Sequence, residues 1–517
     1  MTGSETSVPW LTILALLPLL GAGAVLLVPR GSTAKASVLP KQVALGASLA
    51  TFAVSVAVAI QYDVDGGFQF VEQYSWIDAF GASYAVGLDG LGLLLVLLTT
   101  ILTPVVILAS WHDADAGRWS VNSFFAWMLV LEGLSIGVFA ATDVFLFYVL
   151  FEATLVPIYF LIGGFGGARR SYAAVKFLLY SLFGGLLMLA SVVGLYVVSV
   201  DNEGGPSYLL EDLMNTDIGT ATGRWLFLGF FIAFAVKAPM WPVHTWLPDA
   251  ASESTSGTSV LLVSVLDKIG TFGMMRFCLN IFPEASRWAT PVVITLAVIS
   301  VLYGALLAIG QEDIRRLIAY TSVSHFGFMV LGIFAMTSQG QAGSALYMFN
   351  HGLSTAALFL VTGFLISRRG SKMIGDYGGV EKVAPVLAGC FLLAGLSSLS
   401  LPGLSPFVSE FLVLAGTFTV SIPAAVLATF GIVLAAVYIL YMYQRTMTGP
   451  TRESTRHLTD LRPREMVALA PLLVLIVVLG FFPQPALDAL DPTIDGLLEQ
   501  VGVEDPEPTV ATEGGSS

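Results

Sequence analysis

Two short stretches decide how this chain is read: Lys237-Ala238-Pro239-Met240-Trp241-Pro242 and Leu401-Pro402-Gly403-Leu404-Ser405-Pro406. Each interrupts a long apolar segment. Each also has an ionisable side chain beside it, Lys237 at the first and Glu410 just after the second. A proline inside a helix removes a hydrogen bond and costs about 3 kcal/mol. In lipid, the freed backbone groups survive only where protein or a water-filled cavity satisfies them. One reading is two kinked helices. The sharper one depends on where the interruptions fall along the chain.

The flanking sequence is apolar from end to end. Of 517 residues, 56% are hydrophobic and 11% charged, and the mean hydropathy is +0.82. Soluble domains carry about 25% charged residues, so a water-soluble multidomain protein and a disordered chain are both excluded. Barrel strands alternate polar and apolar residues, whereas the apolar runs here are continuous and reach the roughly 20 residues of a membrane helix. The fold class is therefore all-α, a polytopic membrane protein with about 14 transmembrane helices. The predicted spans are 8–29, 38–61, 88–111, 121–141, 143–163, 173–200, 225–247, 258–282, 289–310, 315–337, 342–367, 384–416, 422–445 and 464–483. The interrupted segments are the seventh and the twelfth. Spans 4–8 (121–283) and 9–13 (284–446) then form two five-helix repeats, each broken at its fourth member. An odd number of helices relates the repeats by inversion, and paired interrupted helices in inverted repeats point to a transporter's ion path. Residues 1–120 add three helices, 447–483 one more, and 484–517 an acidic tail. The start of the chain lacks a basic n-region, so the first span is read as a retained helix.

Basic residues test the count. If loops alternate sides, 18 of the 23 lysines and arginines fall on one side, from Arg30 and Lys41 to Arg462 and Arg464. Arg224, Arg276 and Arg287 fall on the other, and Lys237 and Lys268 lie within spans. This asymmetry is what the positive-inside rule requires, and it puts both termini outside, periplasmic in a bacterial inner membrane. The loop Asp201–Asp217 and the tail Asp488–Glu513 supply much of the net charge of −13 on that outer side. That charge is a solvated face and does not suit nucleic acid. Cys278 and Cys390 stand too far apart for a metal or cluster motif and read as small buried side chains.

An ionisable residue at mid-membrane is a functional hypothesis by default. Glu152 sits centrally in span 5, Lys237 at the break of span 7, Asp267 and Lys268 in span 8, His325 in span 10, His351 beside Asn350 in span 11, and Glu410 after the break of span 12. Glu132 in span 4 stands apart. Plainer readings exist for each. Either histidine serves as a hydrogen-bonded bridge between helices, Asp267 neutralises locally although successive helix positions do not face each other, and Glu132 bonds a neighbouring helix. The joint pattern follows the repeat, which scattered structural charges would not do. It also suits proton transfer. Burial favours a neutral lysine and a nearby carboxylate favours a charged one. At about 7 Å and an effective dielectric near 20, the attraction is roughly 2.4 kcal/mol. A carboxylate that approaches or leaves a buried lysine thus switches it between holding and releasing a proton. Serines, threonines, tyrosines, histidines and trapped water carry protons onward.

The run Ala235-Val236-Lys237-Ala238-Pro239-Met240-Trp241-Pro242-Val243-His244-Thr245-Trp246-Leu247-Pro248-Asp249-Ala250 resembles the signature of the antiporter-like subunits of respiratory complex I. Phe151-Glu152 with Pro157, the Lys268 helix, Ser324-His325, Asn350-His351-Gly352 and Leu401 to Phe411 resemble the same family over roughly residues 85–445. Of that family's three chains, L and N carry lysine at the span-12 position, whereas Glu410 matches the M branch. The resemblance implies a coupled pair Glu152 and Lys237, a central relay Lys268, bridging His325 and His351, and a far-end proton site Glu410. It implies no cofactor or metal in this chain; NADH, FMN, iron–sulfur clusters and quinone would sit in partner subunits. L-, N- and K-like chains would be its membrane neighbours. After Asp249-Ala250 the family commonly shows His and then Ala-Pro-Thr, where this chain has Ala251 and Ser254-Thr255-Ser256. His244 is retained, either as a cap for the broken helix or as a proton entry. Competing expectations are a subunit of a cation/proton antiporter, a membrane-bound hydrogenase subunit, and a passive scaffold.

Overall fold

The structure, a computed structural model, describes residues 8–29, 34–115, 119–202 and 205–505. Arg30, Arg118, the first seven residues and the end of the predicted tail, 506–517, lie outside these. Among the described residues, 12 helices are long and apolar enough to cross a membrane. Spans 1–6 are Trp10–Leu27, Val38–Gln61, Gly90–Ala109, Val121–Ala140, Val144–Phe165 and Arg170–Ser199. Spans 8–11 are Ser256–Leu279, Pro283–Ile309, Ile314–Ala335 and Ser338–Arg369, and spans 13 and 14 are Ile422–Met447 and Pro463–Phe481. Spans 7 and 12 complete the 14 as broken helices, Thr220–Lys237 with Trp246–Glu253 and Pro385–Ser398 with Ser405–Val420.

Short polar residues start several of the described helices. The first turn of a helix leaves N–H groups unpaired, and a side-chain oxygen at the preceding position takes one up. Asp89, Ser120, Asp143, Asp313 and Thr337 do this for spans 3, 4, 5, 10 and 11. Spans 8, 10 and 11 form the centre of the bundle, 100%, 94% and 94% buried, while spans 1, 2, 6, 13 and 14 wrap the outside. Their outward leucines, valines and phenylalanines, such as Leu20, Phe183 and Val433, are exposed. In a membrane that surface is solvated by acyl chains.

Two elements depart from the sequence reading. Residues between spans 2 and 3 form an antiparallel hairpin, β1 (Gln69–Ile77) and β2 (Ala82–Leu88), where no element was expected. Its Glu72 reaches span 1, accepting hydrogen bonds from Leu11 N at 2.7 Å, from Thr12 N, and from the Thr12 hydroxyl. It supplies the cap that Pro9 does not. The stretch read as an acidic tail begins with an ordered helix, Gln484–Val501. Leu490, Ile494, Leu497 and Val501 on one face are buried, while Asp491, Asp495 and Glu499 on the other are exposed. The helix lies across the ends of the central spans. Gly90 N donates to Thr493 Oγ1, Gln500 Nε2 to the carbonyls of Met214 and Asn280, and Arg287 to Val501 O. The error was one of period: apolar residues three and four apart signal an amphipathic helix, and the acidic residues masked it.

Candidate functional site

The seventh span breaks after Lys237, so its ammonium group stands at the carbonyl end of the first half-helix, where a cation is favoured. The second half-helix is pinned by charge. Asp249 accepts from Lys176 at 2.7 Å and from Arg316 at 2.5 Å. Trp246 Nε1 donates across the break to Val236 O at 3.0 Å. Lys237 is fully buried and its Nζ has no hydrogen-bond partner; it lies 5.0 Å from the Phe151 ring centre and 5.6 Å from that of Phe177. Glu152, one residue beyond Phe151, is seated against span 6 at Gly185, where an added Cβ would fall 1.8 Å from Glu152 Oε1. That oxygen is also unpartnered. The carboxylates that act electrostatically on Lys237 are Asp267 and Glu152.

Span 8 runs through the middle of the bundle and is widened twice into π-helix, at Leu261–Leu266 and Met274–Leu279. Such widening frees a carbonyl and is frequent at functional sites. Lys268, just beyond the first widened turn, donates to Val263 O at 2.8 Å and meets His351 Nδ1 at 2.7 Å. Its Nζ also lies 4.5 Å from the Phe326 ring centre. A charged lysine has donors only, so Nδ1 accepts. His351 Nε2 then carries the hydrogen toward Thr355 Oγ1 at 3.1 Å. Spans 7 and 8 approach closely enough for this because Gly270 has no side chain; a Cβ there would sit 2.6 Å from Ala238 N.

Beyond His351 the line continues into the second repeat. The His325 and His351 ring centres are 5.2 Å apart, and His325 Nδ1 meets Tyr347 OH at 2.6 Å. Tyr347 is within electrostatic reach of Glu410 and close to Ser400 at the break of span 12. Ser400 itself has φ +57° and Gly403 φ +90°, so the chain turns sharply between the two half-helices. Asn350 latches span 11 to the second half-helix, donating to Ser405 O at 2.9 Å and to Ser409 Oγ at 2.8 Å. Glu410, the next residue, is 3% exposed. The fully buried Tyr438 of span 13 faces it with an unpartnered hydroxyl.

The structure thus brings Glu152, Lys237, Lys268, His351, His325 and Glu410 into one succession through the bundle interior. It adds Asp267, which the sequence reading treated as a local neutraliser. Both Asp267 oxygens are buried without partners, and they act on Lys237 and Lys268 alike. Glu132 is not part of the line. It is buried beside Thr103 of span 3, both oxygens unpartnered. His244 packs edge-on against Tyr303 with its Nδ1 unpartnered, and no side chain caps the helix after it. The variant Ser254-Thr255-Ser256 turn is hydrogen-bonded: Thr255 caps span 8, and Arg315 donates to Ser254 O and Ser256 Oγ. Among the described residues, no group of three or more His, Cys, Asp or Glu side chains is placed to hold a metal ion. Unpartnered buried polar atoms are rare in folded proteins. Glu152 Oε1, Lys237 Nζ and both Asp267 oxygens are among them, which makes this an environment suited to water and to mobile protons.

Comparison with known proteins agrees over nearly the whole chain. Residues 141–435 match the family described as NADH:quinone oxidoreductase/Mrp antiporter, TM. The chain is 50% identical over 542 residues to NADH-quinone oxidoreductase subunit M of Mycobacterium tuberculosis, covering 98% of this chain and 97% of that one. It is 40% identical over 504 residues to the subunit M of Rhodobacter capsulatus, with 95% and 96% covered. A chain of respiratory complex I from Thermus thermophilus superposes with a TM-score of 0.86 at 32% identity, over 95% of this chain and all of that one. A chain of the Mrp complex from a Dietzia species superposes at 0.82, over 95% of this chain and 99% of that one, but at 22% identity it speaks for the fold alone. This chain belongs to the NADH:quinone oxidoreductase/Mrp antiporter transmembrane family and, within it, to the NADH-quinone oxidoreductase subunit M group.

Proposed function

We propose that the chain is a proton-translocating membrane subunit of an NADH-quinone oxidoreductase. The observation that carries this reading is the contact between Lys268 and His351, which joins the Glu152–Lys237 pair of the first repeat to the His325–Tyr347–Glu410 end of the second. In this reading a change in the charge or position of Glu152 alters how firmly Lys237 holds its proton. Asp267 lies between the two lysines and passes the change to Lys268, His351 receives the proton, and Glu410 is the far terminus. The chain holds no redox centre. Moving one charge against about 100 mV requires about 2.3 kcal/mol, so the energy comes from quinone reduction in partner subunits that hold NADH, FMN, iron–sulfur clusters and quinone. L-, N- and K-like chains are the membrane neighbours. The basic loops face the cytoplasm and both termini the periplasm of a bacterial inner membrane, as the charge asymmetry requires. His244 serves proton entry rather than capping, and Glu132 lies outside the relay.

The test is proton pumping by the assembled complex in membrane vesicles. Lys237→Ala and Glu152→Ala are expected to lose most pumping with the complex intact. Normal proton-to-electron stoichiometry in both variants would refute the reading and leave a passive scaffold. A cation/proton antiporter is disfavoured by the 50% identity to a subunit M.

A further inference from the structure

Arg276 is the one buried cation among the described residues on the outer half of span 8, and the relay does not use it. It stands eight residues beyond Lys268 on the same span, about 12 Å along a helix at 1.5 Å per residue. Its guanidinium is 4% exposed and pairs with Asp89 at 2.5 Å. The Phe68 ring from the hairpin side lies 4.6 Å away and the Phe272 ring 5.1 Å away. Its Nε has no hydrogen-bond partner. Asp89 is not a simple neutraliser. It also accepts from Gly92 N as the cap of span 3, whose first turn contributes roughly half a positive charge. The cluster therefore keeps a positive excess.

Arg276 and Asp89 form part of the wall of a cavity of about 210 Å³ on the face opposite the basic loops. Phe68, Met214, Asn280 and Thr493 line it as well, so the chain leading into the hairpin, the short helix Leu210–Met214 before span 7 and the C-terminal helix all close over it. A cavity of this size exceeds the roughly 30 Å³ share of one liquid water. It lies directly over the outer end of the span that carries Lys268. A buried ion pair is a poor source of stability, because desolvation offsets its attraction, so the placement calls for another reason.

We propose that Arg276, backed by the positive end of span 3, is an electrostatic seal that stops protons passing between this outer cavity and Lys268. A fixed arginine and an aligned helix start are the means by which narrow pores repel protons and cations. Here they stand between solvent and a proton-carrying lysine. Phe272, stacked on the guanidinium, fills the next turn inward and adds a dry plug. The inference rests on Lys268 carrying protons, as proposed above, but it concerns leak and not pumping.

The test uses the whole complex reconstituted in liposomes. A potassium diffusion potential is imposed without NADH, and proton entry is read with an entrapped pH dye. Arg276→Gln is expected to raise passive proton flux severalfold while NADH oxidation continues. Arg276→Lys, which keeps the charge, stays tight. Asp89→Asn, which keeps the cap and leaves the arginine unopposed, also stays tight. If Arg276→Gln does not assemble, the double variant Arg276→Gln with Asp89→Asn removes both buried charges and is expected to leak. The inference is overturned if the charge-removing variants are as tight as the parent, or if Arg276→Lys leaks as much as Arg276→Gln. Lys237→Ala in the same liposomes separates the two ideas: it tests pumping and leaves the seal untouched.

Discussion

The two halves of the buried succession are built differently. In the first, Glu152 Oε1, Lys237 Nζ and both Asp267 oxygens have no hydrogen-bond partners, and the Phe151 and Phe177 rings flank the lysine. From Lys268 onward more of the groups are stitched together, lysine to His351, His351 to Thr355, His325 to Tyr347, and Asn350 to Ser405 and Ser409, while His325 Nε2 and the Tyr438 hydroxyl stay unpartnered. A buried charge without partners is held at high cost, so small displacements or a single water change its state. A hydrogen-bonded row is already oriented and passes a proton by exchanging donors and acceptors. The open half is suited to switching and the stitched half to conduction.

Substitutions sort by which half they touch. Lys268→Met cuts the junction itself. It is expected to lower the rate of proton pumping by about tenfold, equivalent to roughly 1.4 kcal/mol on the limiting step. Near-parental pumping would place the junction elsewhere. Next in size is Gly185→Ala. The new methyl occupies the place of Glu152 Oε1 and forces the carboxylate to a new position, so pumping falls severalfold without loss of assembly. An unchanged rate would mean that the position of Glu152 is not what the open half uses. Asn350→Ala acts in the stitched half. Losing its two bonds is expected to cost about 1–3 kcal/mol of stability, seen as earlier heat inactivation of the complex, with the pumping rate nearly kept. A large pumping loss there would show that the latch belongs to the conducting row. The smallest effect is expected far from both halves. Glu72→Gln weakens the cap on span 1 by about 1 kcal/mol, measured as a small fall in the complex's melting temperature with pumping unaltered.

What the sequence revealed depended on whether the signal was local. Pro239, Pro242, Pro402 and Pro406 announce both breaks because proline acts on its own helix. Lysine, glutamate and histidine in apolar runs are visible because the membrane makes them conspicuous. The Lys268–His351 contact spans 83 positions, and no spacing rule links residues so far apart. Asp267 looked like a mere neighbour of Lys268 because its link to Lys237 exists only when spans 7 and 8 meet at Gly270. The π-helical turns left no trace, since Leu261 to Leu266 reads as an ordinary apolar helix. The hairpin did carry a signal, the aromatic and β-branched residues between Phe70 and Ile77, but its register and the reach of Glu72 depend on tertiary packing.

The bond from Glu72 to the start of the first helix has a further meaning for biogenesis. A ribosome delivers Leu11 and Thr12 about sixty residues before the side chain that completes their hydrogen bonding. The start of that helix therefore stays unfinished until the second helix has crossed the bilayer and the following ribbon has folded back. The first helix finds its final depth and tilt late, as a product of the order in which the chain is threaded.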